Sequence, residues 1–186
     1  MHIKETIQSY SLVLSNALKK VSEEGPKNYI TYDFDFSFFN EFTLETIESC
    51  NEHLAYEEVL RKIKGPSVYW FEIVSEIESK RIRRLIIDYK KLGIKSVPSI
   101  KKNFDSDSKI LYVGKVKRYF WSRIIQHLGY YKVKKTQGLQ LYHWAKELDL
   151  KLRLHVYEFD EEMSNLVGTI EYKLARELKP IIGHHS

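Results

Sequence analysis

The sequence predicts an α+β fold in which a small, largely antiparallel sheet is flanked by helices. Three observations carry this. Segments rich in β-branched and aromatic residues recur at 67–74, 109–113 and 150–159. Helical periodicity fills much of the chain between and after them. After Gly65 the order reads strand, helix, strand, helix, helix, strand, helix, which fits a small sheet with helices packed on it.

Residues 3–22 place Ile3, Ile7, Leu12, Leu14 and Leu18 among polar residues at helical spacing, and Gly25-Pro26 stops that helix. In "YITYDFDFSFF", Asp33 and Asp35 alternate with Tyr32, Phe34 and Phe36, which predicts a half-buried edge strand more economically than a two-carboxylate metal site. Thr43 is placed to cap a helix running to about Lys64, with Glu45 in its first turn and a basic end. "SVYWFEIV" reads as a buried strand, and 76–91 as a basic helix with Ile82, Leu85, Ile86 and Tyr89 as its apolar stripe. "KILYV" reads as a strand ending in a tight Gly114-Lys115 corner, followed by a helix over 118–128 that Gly129 ends. Thr136 caps a helix over 137–147, 150–159 alternates as a strand, and Asp160 opens a last helix that Pro180 halts after Leu178. Two regions follow: a mostly helical N-terminal extension over 1–64, and a domain over 65–186 with a helical insertion at about 76–102.

Of 186 residues, 43% are hydrophobic, enough for a sizeable core. No run of about 18 apolar residues is present, so no membrane span is expected. The start carries Glu5 and too short an apolar stretch for a signal peptide. The single cysteine, Cys50, excludes an internal disulfide and a cysteine-based metal cage, and points to the reducing cytoplasm. The net charge of +5 divides unevenly, with −4 before Gly65 and +9 from there on. Between Lys115 and Lys135 there are seven basic residues and no acid. Lys115, Lys117, Arg118, Lys132, Lys134 and Lys135 are therefore candidate nucleic-acid contacts, with a solvated surface as the plain alternative.

"LYVGK", the following helix with "SRIIQH", and the later "IEYKLARELKPIIG" together resemble the GIY-YIG nucleases, in particular their restriction-endonuclease-like branch. Tyr112-Val113-Gly114 is similar to that family's second motif, and Ser67-Val68-Tyr69 stands at the first, with Ser67 in place of glycine. Arg123 matches the helix arginine, His127 the residue one turn later, and Glu171 the metal-binding glutamate of the final helix. The resemblance covers about 65–183. The insertion at 76–102 separates the two motifs widely, the family's late asparagine is absent, and residues 1–64 have no counterpart.

The resemblance implies a metal-dependent endonuclease hydrolysing phosphodiester bonds in DNA, in a restriction or defence role. Tyr69, Tyr112, Arg123, His127 and Glu171 would be its catalytic residues. Phosphodiester hydrolysis needs an activated water, positive charge on the non-bridging oxygens and help for the leaving alkoxide. Tyr69 would serve as base or water-orienting group with Tyr112 beside it, Arg123 would grip phosphate, and His127 would position phosphate or relay a proton. Glu171 lies at the edge of an apolar stripe, where a carboxylate wants a partner, and would hold Mg²⁺ or another divalent cation such as Mn²⁺. Its plain reading is a salt bridge, for example with Arg123. Double-stranded DNA is the expected partner, and a homodimer would cut both strands most simply. Two competing readings are a catalytically inactive nuclease-like domain that only binds nucleic acid, and an interaction protein whose partner engages residues 1–64.

Overall fold

The computed structural model describes residues 3–38, 58–101, 105–130 and 137–183. It is an α+β fold with one four-stranded antiparallel sheet. In chain order the elements are α1 (Ile3–Glu24), β1 (Asn28–Asp35), β2 (Ser67–Ile73), α2 (Ser79–Lys91), β3 (Ile110–Val116), α3 (Phe120–Leu128), the short α4 (Leu141–Trp144), β4 (Lys151–Glu158) and α5 (Val167–Leu178). The strand order across the sheet is β1, β4, β2, β3. Strand β1 is an edge, as its alternation predicts, and pairs with β4 over eight residues. The stretch before Gly65 thus supplies one strand of the common sheet.

Alternation sorts the side chains onto two faces. On one face Phe34, Tyr69, Phe71, Leu152, Leu154 and Val156 meet Ile82 and Ile86 of α2 and Phe120, Ile124 and Leu128 of α3 in the main core. On the other, Val68 packs with Ala17 of α1 and with Phe159, Met163 and Val167 near α5. Each large apolar side chain fully buried here contributes about 1.5–3 kcal/mol. The nine-residue α3 would be marginal alone, and its buried stripe holds it in place. Residues 181–183 return along β3 and cover its edge, Ile181 and Ile182 donating to the carbonyls of Ile110 and Leu111.

Several boundaries differ from expectation. Gly114 and Lys115 lie within β3, paired with Tyr69 and Val68, so the corner falls at 117–119 instead. The helix expected at 137–147 is reduced to Leu141–Trp144 and one 3-10 turn, because 137–140 is spent on other bonds and Gln140 is left-handed at φ 57°. The last helix opens as a 3-10 turn, Glu161–Asn165, before α5 begins. Asp33 and Asp35 hold no shared site: Asp33 takes a two-pronged bond from Arg153, and Asp35 pairs with Lys151 and accepts from Ser37. The helix expected at 43–64 falls mostly outside the described residues, as do Thr43, Cys50 and Thr136. Among the described residues, no helix is long and apolar enough to cross a membrane.

Candidate active site

Strands β2 and β3 run side by side, and each contributes one phenol to the same face. Tyr69 lies opposite Gly114, with Tyr112 opposite the next inward residue, Phe71. A Cβ on Gly114 would stand 2.6 Å from the Tyr69 hydroxyl and 2.7 Å from the Tyr112 ring. Only glycine lets the two rings close over the strand, which gives the Tyr-Val-Gly sequence a physical reason.

Helix α3 brings Arg123 and His127 to these phenols. Arg123 donates from Nε to the Tyr69 hydroxyl at 3.3 Å and from Nη2 to the Tyr112 hydroxyl at 3.4 Å. Its Nη1 donates to Gln126 Oε1 at 2.8 Å and to the Gln137 carbonyl at 2.9 Å. Four of the five guanidinium N–H groups are thus engaged by protein oxygens. The fork expected to grip two phosphate oxygens instead spans two tyrosines. His127 is fully buried, with Nε2 2.7 Å from the Tyr69 hydroxyl. The Leu139 N–H donates to its Nδ1 at 3.2 Å, so the neutral ring carries its proton on Nε2 and donates it to the phenol oxygen.

Tyr69 therefore accepts from two N–H groups, a pattern that suits a phenolate. Burial works against ionisation. Together with the nearby Tyr112 hydroxyl it pushes the Tyr69 phenol well above its usual value, and the Arg123 guanidinium offsets only part of this. Burial, reinforced by Arg123, holds His127 well below its usual value. At neutral pH both are uncharged.

The second half of the site lies across the β3 edge. Lys115 Nζ donates to Glu171 Oε2 at 2.5 Å, over Gly168, where an added Cβ would come within 3.4 Å of that ammonium. The salt-bridge partner of Glu171 is thus Lys115, not Arg123. Glu171 is 14% exposed and near enough for its charge to act on Tyr69. Among the described residues no three His, Cys, Asp or Glu side chains lie together. The donor set fits a divalent ion of the kind that takes one carboxylate, keeps its waters and completes its shell with substrate phosphate. Glu171 is the residue that would hold it, after exchanging its ammonium partner.

The structure thus brings Tyr69, Tyr112, Arg123 and His127 into direct contact on one face of the sheet, and pairs Lys115 with Glu171 on the other, where Lys115 stands opposite Val68. Tyr69 and His127 have no exposed surface, whereas Tyr112, Arg123, Lys115 and Glu171 reach it in part. Lys117 and Arg118 are exposed and bonded to Asn165 and Glu161. Lys132, Lys134 and Lys135 lie outside the described residues.

Sequence reasoning missed the clamp at 137–139. Gln137 supplies a carbonyl to Arg123, Leu139 an N–H to His127, and Gly138 approaches α3 so closely that a Cβ would sit 2.1 Å from the Gln126 carbonyl. The isolated Gly138 in a stretch read as helical was the one available signal. No family model, no curated protein and no solved structure matches this chain.

Proposed function

We propose that the chain is a divalent-metal-dependent endonuclease that hydrolyses phosphodiester bonds in DNA. The observation that carries this is the convergence of two strand phenols on one arginine, next to a part-buried carboxylate paired with a single lysine. Such an arrangement puts positive charge and water-orienting hydroxyls on one face of the β2–β3 pair and a metal-competent carboxylate on the other, beside β3.

In this reading a phosphate lies over the β3 edge, with Tyr112 on one face of the strand and Lys115 on the other. Lys115 turns from Glu171 to a non-bridging oxygen. Tyr112, the phenol that reaches the surface, orients the attacking water. Tyr69 and His127 act through Arg123 and Tyr112 as positioning residues, the N–H groups of Arg123 and His127 holding the neutral Tyr69 hydroxyl in place. The water oxygen bonds to phosphorus as one of its protons passes to solvent, the ester P–O bond breaks, and the departing alkoxide takes up a proton from solvent. A Mg²⁺ or Mn²⁺ on Glu171 would supply charge stabilisation to that oxygen.

The test is nicking of supercoiled plasmid with Mg²⁺, set against EDTA. Wild type nicks only with the metal, and Glu171→Gln loses nicking while binding DNA as before. Undiminished nicking by that variant removes the assignment. The complete burial of Tyr69 and His127 favours a second reading, a nuclease-like domain that binds nucleic acid without cutting it. The same assay decides, through metal-independent binding with no nicking by wild type. The third reading, a partner for residues 1–64, draws on the exposed Ile3, Ile7, Tyr10 and Leu12 of α1.

A further inference from the structure

The turn into α3 carries a feature that the phenol–arginine site does not use. Tyr119 stands at φ 60°, ψ 52°, a left-handed conformation that glycine or asparagine adopts far more readily. Its side chain is 79% exposed, so packing does not repay the strain. The same left-handed backbone recurs at the exposed Asp149 and Lys179, so what sets Tyr119 apart is the ring its turn presents to solvent.

Tyr119 stands at a groove of about 510 Å³. Arg61 and Lys64 enter it from the segment before β2, Arg118 from the turn, and Trp121 and Ser122 from the start of α3. Glu161 is the acid in the lining, and it accepts from Arg118 at 3.0 Å. Three cations and two flat aromatic side chains therefore share one open cleft. It adjoins the candidate active site, because Phe120, in the same lining, packs edge-on against Tyr69 with ring centroids 5.3 Å apart.

We propose that this groove binds single-stranded nucleic acid, stacking an unpaired base on Tyr119 beside Trp121 while Arg61, Lys64 and Arg118 hold the flanking phosphates. Cations alone would serve duplex and single strand equally, since both present phosphate. The exposed ring decides between them. Bases in a duplex already stack on one another, and only an unpaired base has a face to give to tyrosine. Arg61 and Lys64 belong to the otherwise acidic region before Gly65, so the groove draws its charge from both sides of that boundary. The inference rests on the nuclease reading only for the choice of nucleic acid among polyanions.

The test is fluorescence anisotropy with a labelled twelve-nucleotide oligothymidylate and a twelve-base-pair duplex, both in EDTA so that no cleavage intervenes. Tyr119→Ala should weaken the single strand about tenfold and leave the duplex within about twofold, and Tyr119→Phe should bind as wild type. Lys64→Ala should flatten the slope of log affinity against log salt by about 0.7 on the single strand. Tyr119→Gly should melt at a higher temperature than wild type and still bind weakly, separating a ligand-binding role from a folding one. No binding of the oligothymidylate by wild type overturns the proposal, as does equal affinity in Tyr119→Ala or an equal loss on both probes. The two readings fail separately. Absence of Mg²⁺-dependent nicking by wild type removes the nuclease and leaves the groove, and nicking with Tyr119-independent binding removes the groove alone.

Discussion

Two tyrosine–histidine pairs occupy opposite faces of the same sheet, and their hydrogen bonds have opposite polarity. On the helix-covered face Tyr69 meets His127 at 2.7 Å, and on the other face Tyr29 meets His155 at the same 2.7 Å. The difference lies in what holds each imidazole from behind. The Leu139 N–H donates to His127, so that ring must give its proton to the Tyr69 oxygen. The Glu72 carboxylate accepts from His155 at 2.8 Å, so in its neutral form that ring takes the Tyr29 proton. Arg123 adds a second donor to Tyr69, whereas Tyr29 is half exposed and stacks on Tyr157 with centroids 4.6 Å apart. One phenol is thus surrounded by donors and kept neutral by burial. The other is a surface donor in an aromatic stack. A tyrosine beside a histidine indicates nothing about chemistry until the far side of the imidazole is known.

Substitutions at the two pairs separate their roles. The largest effect is expected at Arg123. Arg123→Ala removes the bond to each phenol, and Mg²⁺-dependent nicking should fall by roughly 10²–10³. Arg123→Lys should not restore it, because an ammonium cannot span both hydroxyls and the Gln137 carbonyl. Recovery in the lysine variant, read from nicking rates, would mean that charge alone matters there.

Next is the clamp that orients His127. Gly138→Ala drives a methyl group into the Gln126 carbonyl and should cost about 1–3 kcal/mol. For a chain of this size that lowers the melting temperature by roughly 2–12 °C. The outer pair has no such backbone support, and Gly93→Ala, which meets no atom within 4 Å, serves as a control for backbone strain alone. Equal melting temperatures for Gly138→Ala and wild type would show that 137–139 does not press on α3.

A smaller effect appears with pH. Burial holds His127 and His143 below their usual values, so the unfolded chain binds the extra protons. Stability is therefore full above about pH 6.5 and declines as pH falls below it, by at most about 1.4 kcal/mol per pH unit for each histidine. Denaturant unfolding at pH 7 and 5.5 measures this, and His127→Gln should lose part of the slope while His143 keeps the rest. The smallest effect is at the outer phenol: Tyr29→Phe should cost about 1 kcal/mol or less in chemical denaturation and leave nicking unchanged.

Much of this architecture was legible in the residues, and the exceptions have physical reasons. The four strands announce themselves through alternation and β-branched content, and Asp33 with Asp35 read correctly as an edge-strand feature. Tyr69, Tyr112, Arg123 and His127, which the motif resemblance singles out, lie in one contact group because their side chains carry the motif. The clamp could not, since it works through a backbone carbonyl at Gln137 and a backbone N–H at Leu139, which any residue possesses. Lys115 was read as a phosphate contact, and its bond to Glu171 depends on α5 crossing the β3 edge, a fact of packing rather than pattern.

The central claim is that the donor-rich phenol pair, and not the surface one, supports phosphodiester cleavage. Side-by-side plasmid nicking by His127→Gln and His155→Gln, each checked for native melting, tests it most directly. The account predicts that His127→Gln loses nicking by at least an order of magnitude while His155→Gln cuts like wild type. Loss in His155→Gln with full activity in His127→Gln would contradict it.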